Sequence, residues 1–231
     1  MTTKERLRLI TLGIDTSANM ISVALAQDKQ LLGETFAHAA QKHSETLLCL
    51  IDNLLKTCGL AFKDIGRIVA TQGPGSFTGL RIGVATAKGL AMARGLPCAG
   101  VSTLKAMAAG AQMLDGTLCC VMDARREQVY AAMFAGRTRL CEDQAISIVE
   151  LEKKLAGKTW LLGDGAQLCY DKMAKRDDLL LAPEQLRYQK AFGAILASEE
   201  DDYAPAAKLR VTYLRPSQAE REREEKRNET T

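Results

Sequence analysis

The order in which extended and helical patterns follow one another limits the fold most tightly. Residues 8–15 (RLITLGID), 20–26 (MISVALA) and 31–37 (LLGETFA) are short branched or alternating runs. Turn-forming Ser17, Asn19, Asp28 and Lys29 separate them, so they read as a three-strand antiparallel meander. Residues 43–58 then place apolar side chains at 47, 48, 50, 51, 54 and 55, a helical period entered beside Ser44 and Glu45 and stopped at Gly59. A strand at 67–71, a glycine-rich turn, a helix to about Arg94 and a strand at 97–101 complete this half. The second half begins again with a helix at 103–113, strands at 117–122, 128–134 and 137–141, a helix at 147–156, a strand at 159–162 and helices near 165–176 and 185–198. An order βββαβα followed by its approximate echo implies an α/β protein of two similar lobes, each with a mixed sheet and helices. The expected division is a first lobe over 1–104, a second over 105–215 and a charged tail over 216–231.

With 231 residues, 47% apolar and 26% charged, the chain has ordinary globular usage and can bury a sizeable core. A net charge of +3 is too small for a dedicated nucleic-acid binder, although Lys4, Arg6 and Arg8 cluster and Arg125 adjoins Arg126. The seven cysteines form no C-x-x-C pair and lie mostly in apolar segments, which points to reduced, buried thiols in a cytoplasmic protein. The apolar run after the basic start ends at Asp15, too short for a signal peptide or a membrane span. Beyond Pro216 only Ala219 is apolar, so the tail has no core face; Ser217 and Glu220 suit a capping box on a solvated helix, and the last residues are expected to be disordered.

The stretch TQGPGSFTGLRIGVATAKGLA, residues 71–91, looks first like a phosphate-gripping loop entering a helix. It lacks the lysine of G-x-x-x-x-G-K-[ST], which excludes a P-loop. Pro74 and Gly75 suit a type II turn, and Ser76 or Thr78 can cap the helix. Behind the turn, Gly79, Gly83, Ala87 and Ala91 recur every four residues and form one nearly bare ridge. A glycine costs about 1 kcal/mol in a helix, so the ridge implies close packing in return, either on the chain's own sheet and helix 43–58 or on a helix of another chain.

Asp15, Thr16 and Ser17 end the first strand and are candidates to hold a metal–phosphate complex, or they form an ordinary turn. Asp123 is a candidate counterpart across an interlobe cleft, but Ala124 and Arg125 stand where glycines would admit a phosphate. Gly163-Asp164-Gly165 either approaches an adenosine or turns the chain after strand 159–162. His38 and His43 are five apart, and Leu47 stands where a second helical ligand would be needed. No metal site and no nucleophile–histidine arrangement is expected, hence no catalytic residue.

GIDTS at 13–17, TQGPGSFTGLRIG at 71–83, VST at 101–103, DARREQVYAAMF at 123–134 and YLRPSQAE at 213–220 together resemble the bacterial TsaB (YeaZ) family of tRNA threonylcarbamoyladenosine biosynthesis. The resemblance implies the actin/sugar-kinase/heat-shock-protein fold, with Asp15, Thr16, Ser17 and Asp123 as a vestigial nucleotide site. It implies a non-catalytic partner of the related subunit TsaD, which transfers threonylcarbamoyl from its adenylate to N6 of the adenosine beside the anticodon. In the family, the first-lobe helices bundle with those of TsaD or of a second copy, and the ATPase TsaE joins nearby. Gly79, Gly83, Ala87, Ala91, Leu47, Leu50 and Leu54 are then expected at or beside that interface. ATP or ADP is expected at a subunit interface only, tRNA through the complex, and no membrane. The alternatives are an independent nucleotide-dependent phosphotransferase and a peptidase.

Overall fold

Strands β1 (Ile10–Asp15), β2 (Met20–Gln27) and β3 (Gln30–His38) form the antiparallel meander, and Asp28 and Lys29, at φ 48° and 66°, make its two-residue hairpin. These strands come from a computed structural model that describes residues 9–38 and 43–215. Helix α1 (His43–Thr57) leads to β4 (Ile65–Gly73), α2 (Phe77–Arg94) and β5 (Pro97–Ser102); β4 runs parallel to β1, and β5 parallel to β4. After α3 (Thr103–Gly110) come β6 (Thr117–Asp123), β7 (Gln128–Ala135), β8 (Thr138–Arg139) and β9 (Gln144–Ser147). Then follow α4 (Ile148–Lys154), β10 (Thr159–Leu162), α5 (Ala166–Lys172), β11 (Leu179–Leu181), α6 (Ala191–Ala197) and β12 (Ala204–Pro205). The two sheets are ordered β12-β5-β4-β1-β2-β3 and β11-β10-β6-β7-β8, with β9 paired to β7. This is a two-lobed α/β fold, each lobe with a mixed sheet and helices.

Strand β1 is buried along its whole length because helices cover both sides of the first sheet. Leu12 and Ile14 join Leu47, Leu54, Val84 and Ala87 in a core beneath α1 and α2. On the other side Val69, Ala99 and Ala106 meet Ala191 and Ile195 of α6, and Gly13 lets α6 come close. A Cβ at Gly13 would stand 2.7 Å from the Ala191 carbonyl oxygen.

The division expected near residue 105 places the end of the chain in the wrong lobe. Helix α6 packs on the first sheet, and β12 pairs antiparallel with β5. Arg67 of β4 secures this return: it is 5% exposed, donates to Thr11 Oγ1 at 2.9 Å, pairs with Glu200 at 2.6 Å and lies 4.3 Å over the Tyr203 ring. The helix expected at 185–198 is a single 3-10 turn, Glu184–Leu186, followed by the shorter α6. The segment entering α6 is tied to the second lobe by Gln189, whose Nε2 donates to Asp164 Oδ1 at 3.1 Å. Burial, opposed by this bond and by the Asp123 N–H, pushes the Asp164 carboxyl up to about 6.

All seven cysteines are unpaired, but Cys49 is exposed, against the expectation of buried thiols. Among the described residues no helix is long and apolar enough to cross a membrane. The basic start and the charged tail lie outside the described residues.

Two outcomes follow from α6 docking. Gly13→Ala should lower stability by about 1–3 kcal/mol in urea titrations, since the opposing atom is backbone and yields little. Asp164 carries a raised folded-state pKa of about 6, so the folded state keeps a proton that the unfolded chain releases near pH 4. Its contribution is therefore full at low pH and declines as pH rises toward 6. Asp164→Asn should remove about 2–3 kcal/mol of pH dependence across that window, read as the wild type minus variant difference.

Candidate functional site

Helix α2 begins where the chain doubles back onto the Asp15–Ser17 turn. The Gly73–Pro74 peptide is cis, in place of the expected type II turn. Ser76 N donates to the Ser17 carbonyl at 2.7 Å, and Ser76 Oγ caps the helix by accepting from Gly79 N at 3.2 Å. Gly75 lies so close to Ser17 that a Cβ would collide with its carbonyl oxygen. The same holds one and two turns on, where Gly79 abuts the Thr16 carbonyl and Gly83 the Thr16 hydroxyl, which itself donates to the Gly79 carbonyl at 2.7 Å. Ala87 and Ala91 continue the row into the first-lobe core and are fully buried. The small-residue ridge therefore faces the chain's own first strand, not a neighbouring molecule, and this corrects the expected interface. On α1, Leu47 and Leu54 are likewise buried in that core, whereas Leu50 packs against it in part and keeps part of its surface exposed.

What α1 and α2 leave outward is a different set. Ala85, Gly89 and Ala93 are exposed at the same four-residue spacing, continuing from Arg81 on the reverse side of α2. Open space surrounds the Gly89 Cα, and Met92 is 66% exposed. On α1, Leu48 is 52% exposed beside Cys49. Sequence reasoning missed this second row, although Arg81 at its head marks the side that meets water.

The residues of the Asp15 turn bond mainly to one another and to α2. Asp15 is buried, and its Oδ1 accepts from Ser17 N at 2.9 Å and Ser17 Oγ at 2.7 Å. Burial drives its carboxyl above the ordinary range, against the bonds from Ser17. Thr16 and Ser17 are buried too, and Ala18 packs with Met107 and Met122 of the second lobe. Asp123 is exposed, with its carboxylate accepting from Arg125 N at 2.7 Å. Gly163 and Gly165 pack on β6, where a Cβ at Gly165 would be 2.9 Å from Asp123 N. The hydroxyls and one carboxylate oxygen of the Asp15 turn are engaged internally and the glycine loop lies on them, while Asp15 Oδ2 is buried without a hydrogen-bond partner. Among the described residues no group of three His, Cys, Asp or Glu could hold a metal. His38 ends β3 and His43 opens α1.

Comparison with known proteins agrees with this geometry at the level of family. The family model described as TsaD, tRNA N6-adenosine threonylcarbamoyltransferase, matches residues 29–192. The chain is 33% identical over 209 residues to the tRNA threonylcarbamoyladenosine biosynthesis protein TsaB of Escherichia coli K12, covering 85% of this chain and 84% of that protein. It is 34% identical over 151 residues to TsaB of Bacillus subtilis 168, covering 64% of this chain and 66% of that protein. Among solved structures, YeaZ from Pseudomonas aeruginosa superposes with a TM-score of 0.76 at 23% identity, over 89% of this chain and all (100%) of that one, a likeness of fold. The two-lobed fold and these relatives lead to one assignment: the chain belongs to the TsaB family of tRNA threonylcarbamoyladenosine biosynthesis proteins.

Proposed function

We propose that this chain is a non-catalytic accessory subunit for threonylcarbamoyl transfer to N6 of the anticodon-adjacent adenosine of tRNA, acting in the cytoplasm with a TsaD-type transferase and the ATPase TsaE. The observation that carries the reading is the outward face of α2, where Ala85, Gly89 and Ala93 expose nearly bare backbone beside Met92, together with exposed Leu48 on α1. A helix with such a row admits another helix at short range, and its apolar flanks gain by being covered. The same face can receive a second copy of this chain when the transferase is absent. The Asp15 turn supports the negative half of the reading, since Asp15 is buried with one carboxylate oxygen held by Ser17, and the Thr16 hydroxyl is bonded to Gly79. ATP or ADP, in this proposal, is held where subunits meet and not in this chain's cleft.

Reconstitution of the transfer with purified partners, with and without this chain, tests the reading. Transfer should need the chain and be absent when the chain is alone. Gly89→Leu separates docking from folding, because the site is open and the change raises helix propensity by up to about 1 kcal/mol. We expect it to keep or gain thermal stability while cutting modified tRNA at least about tenfold, the effect of losing about 1.4 kcal/mol of association. Gly83→Leu, driven into Thr16, should instead unfold the first lobe. A folded Gly89→Leu protein that co-elutes with the transferase and supports full transfer overturns the proposed interface.

A further inference from the structure

We propose that the rim of the interlobe cleft is an RNA contact face that takes an unpaired nucleobase together with its flanking phosphates. It rests on the tRNA-modification reading above and assigns this chain its own contact with the substrate. Tyr213 lies flat against Phe77, the first residue of α2, with ring centroids 4.1 Å apart and planes 5° apart. Arg81, one turn along, donates from Nε to the Tyr213 hydroxyl at 2.8 Å, with its guanidinium 5.4 Å and 5.7 Å from the two ring centroids. Below, Thr212 N donates to the Gln72 carbonyl at 2.7 Å, which seats the segment that carries Tyr213. The tyrosine is thus fixed by its neighbours and yet 39% exposed, a ring that need not be ordered again when a base stacks on it.

The second lobe completes the face. Tyr130 of β7 borders the same crevice as Pro74, Phe77 and Tyr213. One residue pair beyond Tyr130 the β6–β7 turn begins, and it raises Arg125 and Arg126 to the surface. Both arginines, with Glu127, hold left-handed backbone at φ 62°, 53° and 60°, a conformation that non-glycine residues rarely adopt and that marks functional turns. Asp123 stabilises the turn from within by accepting Arg125 N. Among the described residues neither guanidinium is in an ion pair, while Glu127 is neutralised by Lys172. Planar cations on the turn of the hairpin whose Tyr130 borders a preset aromatic stack match the alternating phosphates and base faces of an RNA loop. An acidic peptide would use the arginines and leave the ring unfilled.

Fluorescence anisotropy with the purified full chain tests this, using a labelled RNA hairpin with an unpaired loop and a blunt duplex of the same stem. Wild type should bind the hairpin more tightly than the duplex. Tyr213→Ala should weaken hairpin binding about tenfold and leave the duplex unchanged, whereas Tyr213→Phe, which keeps the stack, should bind as wild type. Replacing Arg125 and Arg126 by Ala should weaken both probes and reduce the salt slope on the hairpin by about 1.4, about 0.7 for each phosphate that is no longer neutralised. Circular dichroism melts confirm that each variant is folded. Equal wild-type affinity for hairpin and duplex, or unchanged hairpin binding in folded Tyr213→Ala or double-arginine protein, overturns the proposal. So does a double-arginine variant that binds RNA normally but no longer co-elutes with the transferase, which would make the face a protein interface. Failure here leaves the reconstitution result standing, and failed reconstitution leaves the anisotropy result standing, so the two readings fall separately.

Discussion

Everything in the first lobe depends on the approach of helix α2 to the turn at the end of β1. Gly79 and Gly83 bring helix backbone against Thr16 at a separation that any side chain would prevent, and Gly75 does the same against Ser17. Thr16 then bonds the Gly79 carbonyl, and Ser76 bonds the Ser17 carbonyl, so helix and strand end are joined by hydrogen bonds as well as by packing. Two helical glycines cost about 2 kcal/mol in propensity, which this junction must offset. In return the orientation of α2 over the sheet is fixed, and with it both its outward face and the position of Phe77 at its start. The glycine-rich loop thus resembles an anion cradle in sequence because both require bare backbone; here the guest is the chain itself.

The same closure explains the charge state of the cleft. A carboxylate that is to bind a metal–phosphate complex must stay ionised and reachable. Asp15 is buried, burial pushes its carboxyl above the ordinary range, and Ser17 occupies one oxygen, all of which weigh against that role. Asp164, raised to about 6 by burial, is bonded to Gln189 and so serves the passage of the chain back to the first lobe. Acidic residues that chain order presents as a pair across a cleft have become structural ties, while exposed Asp123 turns inward to support a turn of arginines.

Local signals in the sequence disclose part of this and hide the rest. The meander over β1 to β3 was legible because alternating and branched runs were punctuated by Asp28 and Lys29, which do form the hairpin. The cap at Ser76 was legible for the same local reason. Spacing of four also disclosed the small row on α2, but a period carries no direction, and two such rows share this helix. Only the partner surface distinguishes them: Gly83 meets Thr16, sixty-seven positions earlier in the chain, and no local pattern encodes that meeting. The return of α6 and the two-residue β12 to the first sheet was hidden likewise, because a seven-residue helix and so short a strand have little periodicity to read.

The two faces of α2 are therefore coupled. Its inner row must be glycine and alanine so that the helix lies close to the sheet, and the outer row of Ala85, Gly89 and Ala93 is left exposed. Its first turn carries Phe77, so the stack with Tyr213 inherits its position from the same junction. A change that loosens α2 from Thr16 would move the outer row and the aromatic stack together, whereas a change at Gly89 would alter the outer row alone. The fold thereby permits the helix-facing surface and the cleft rim to be perturbed one at a time, provided that the glycines at 79 and 83 are left in place.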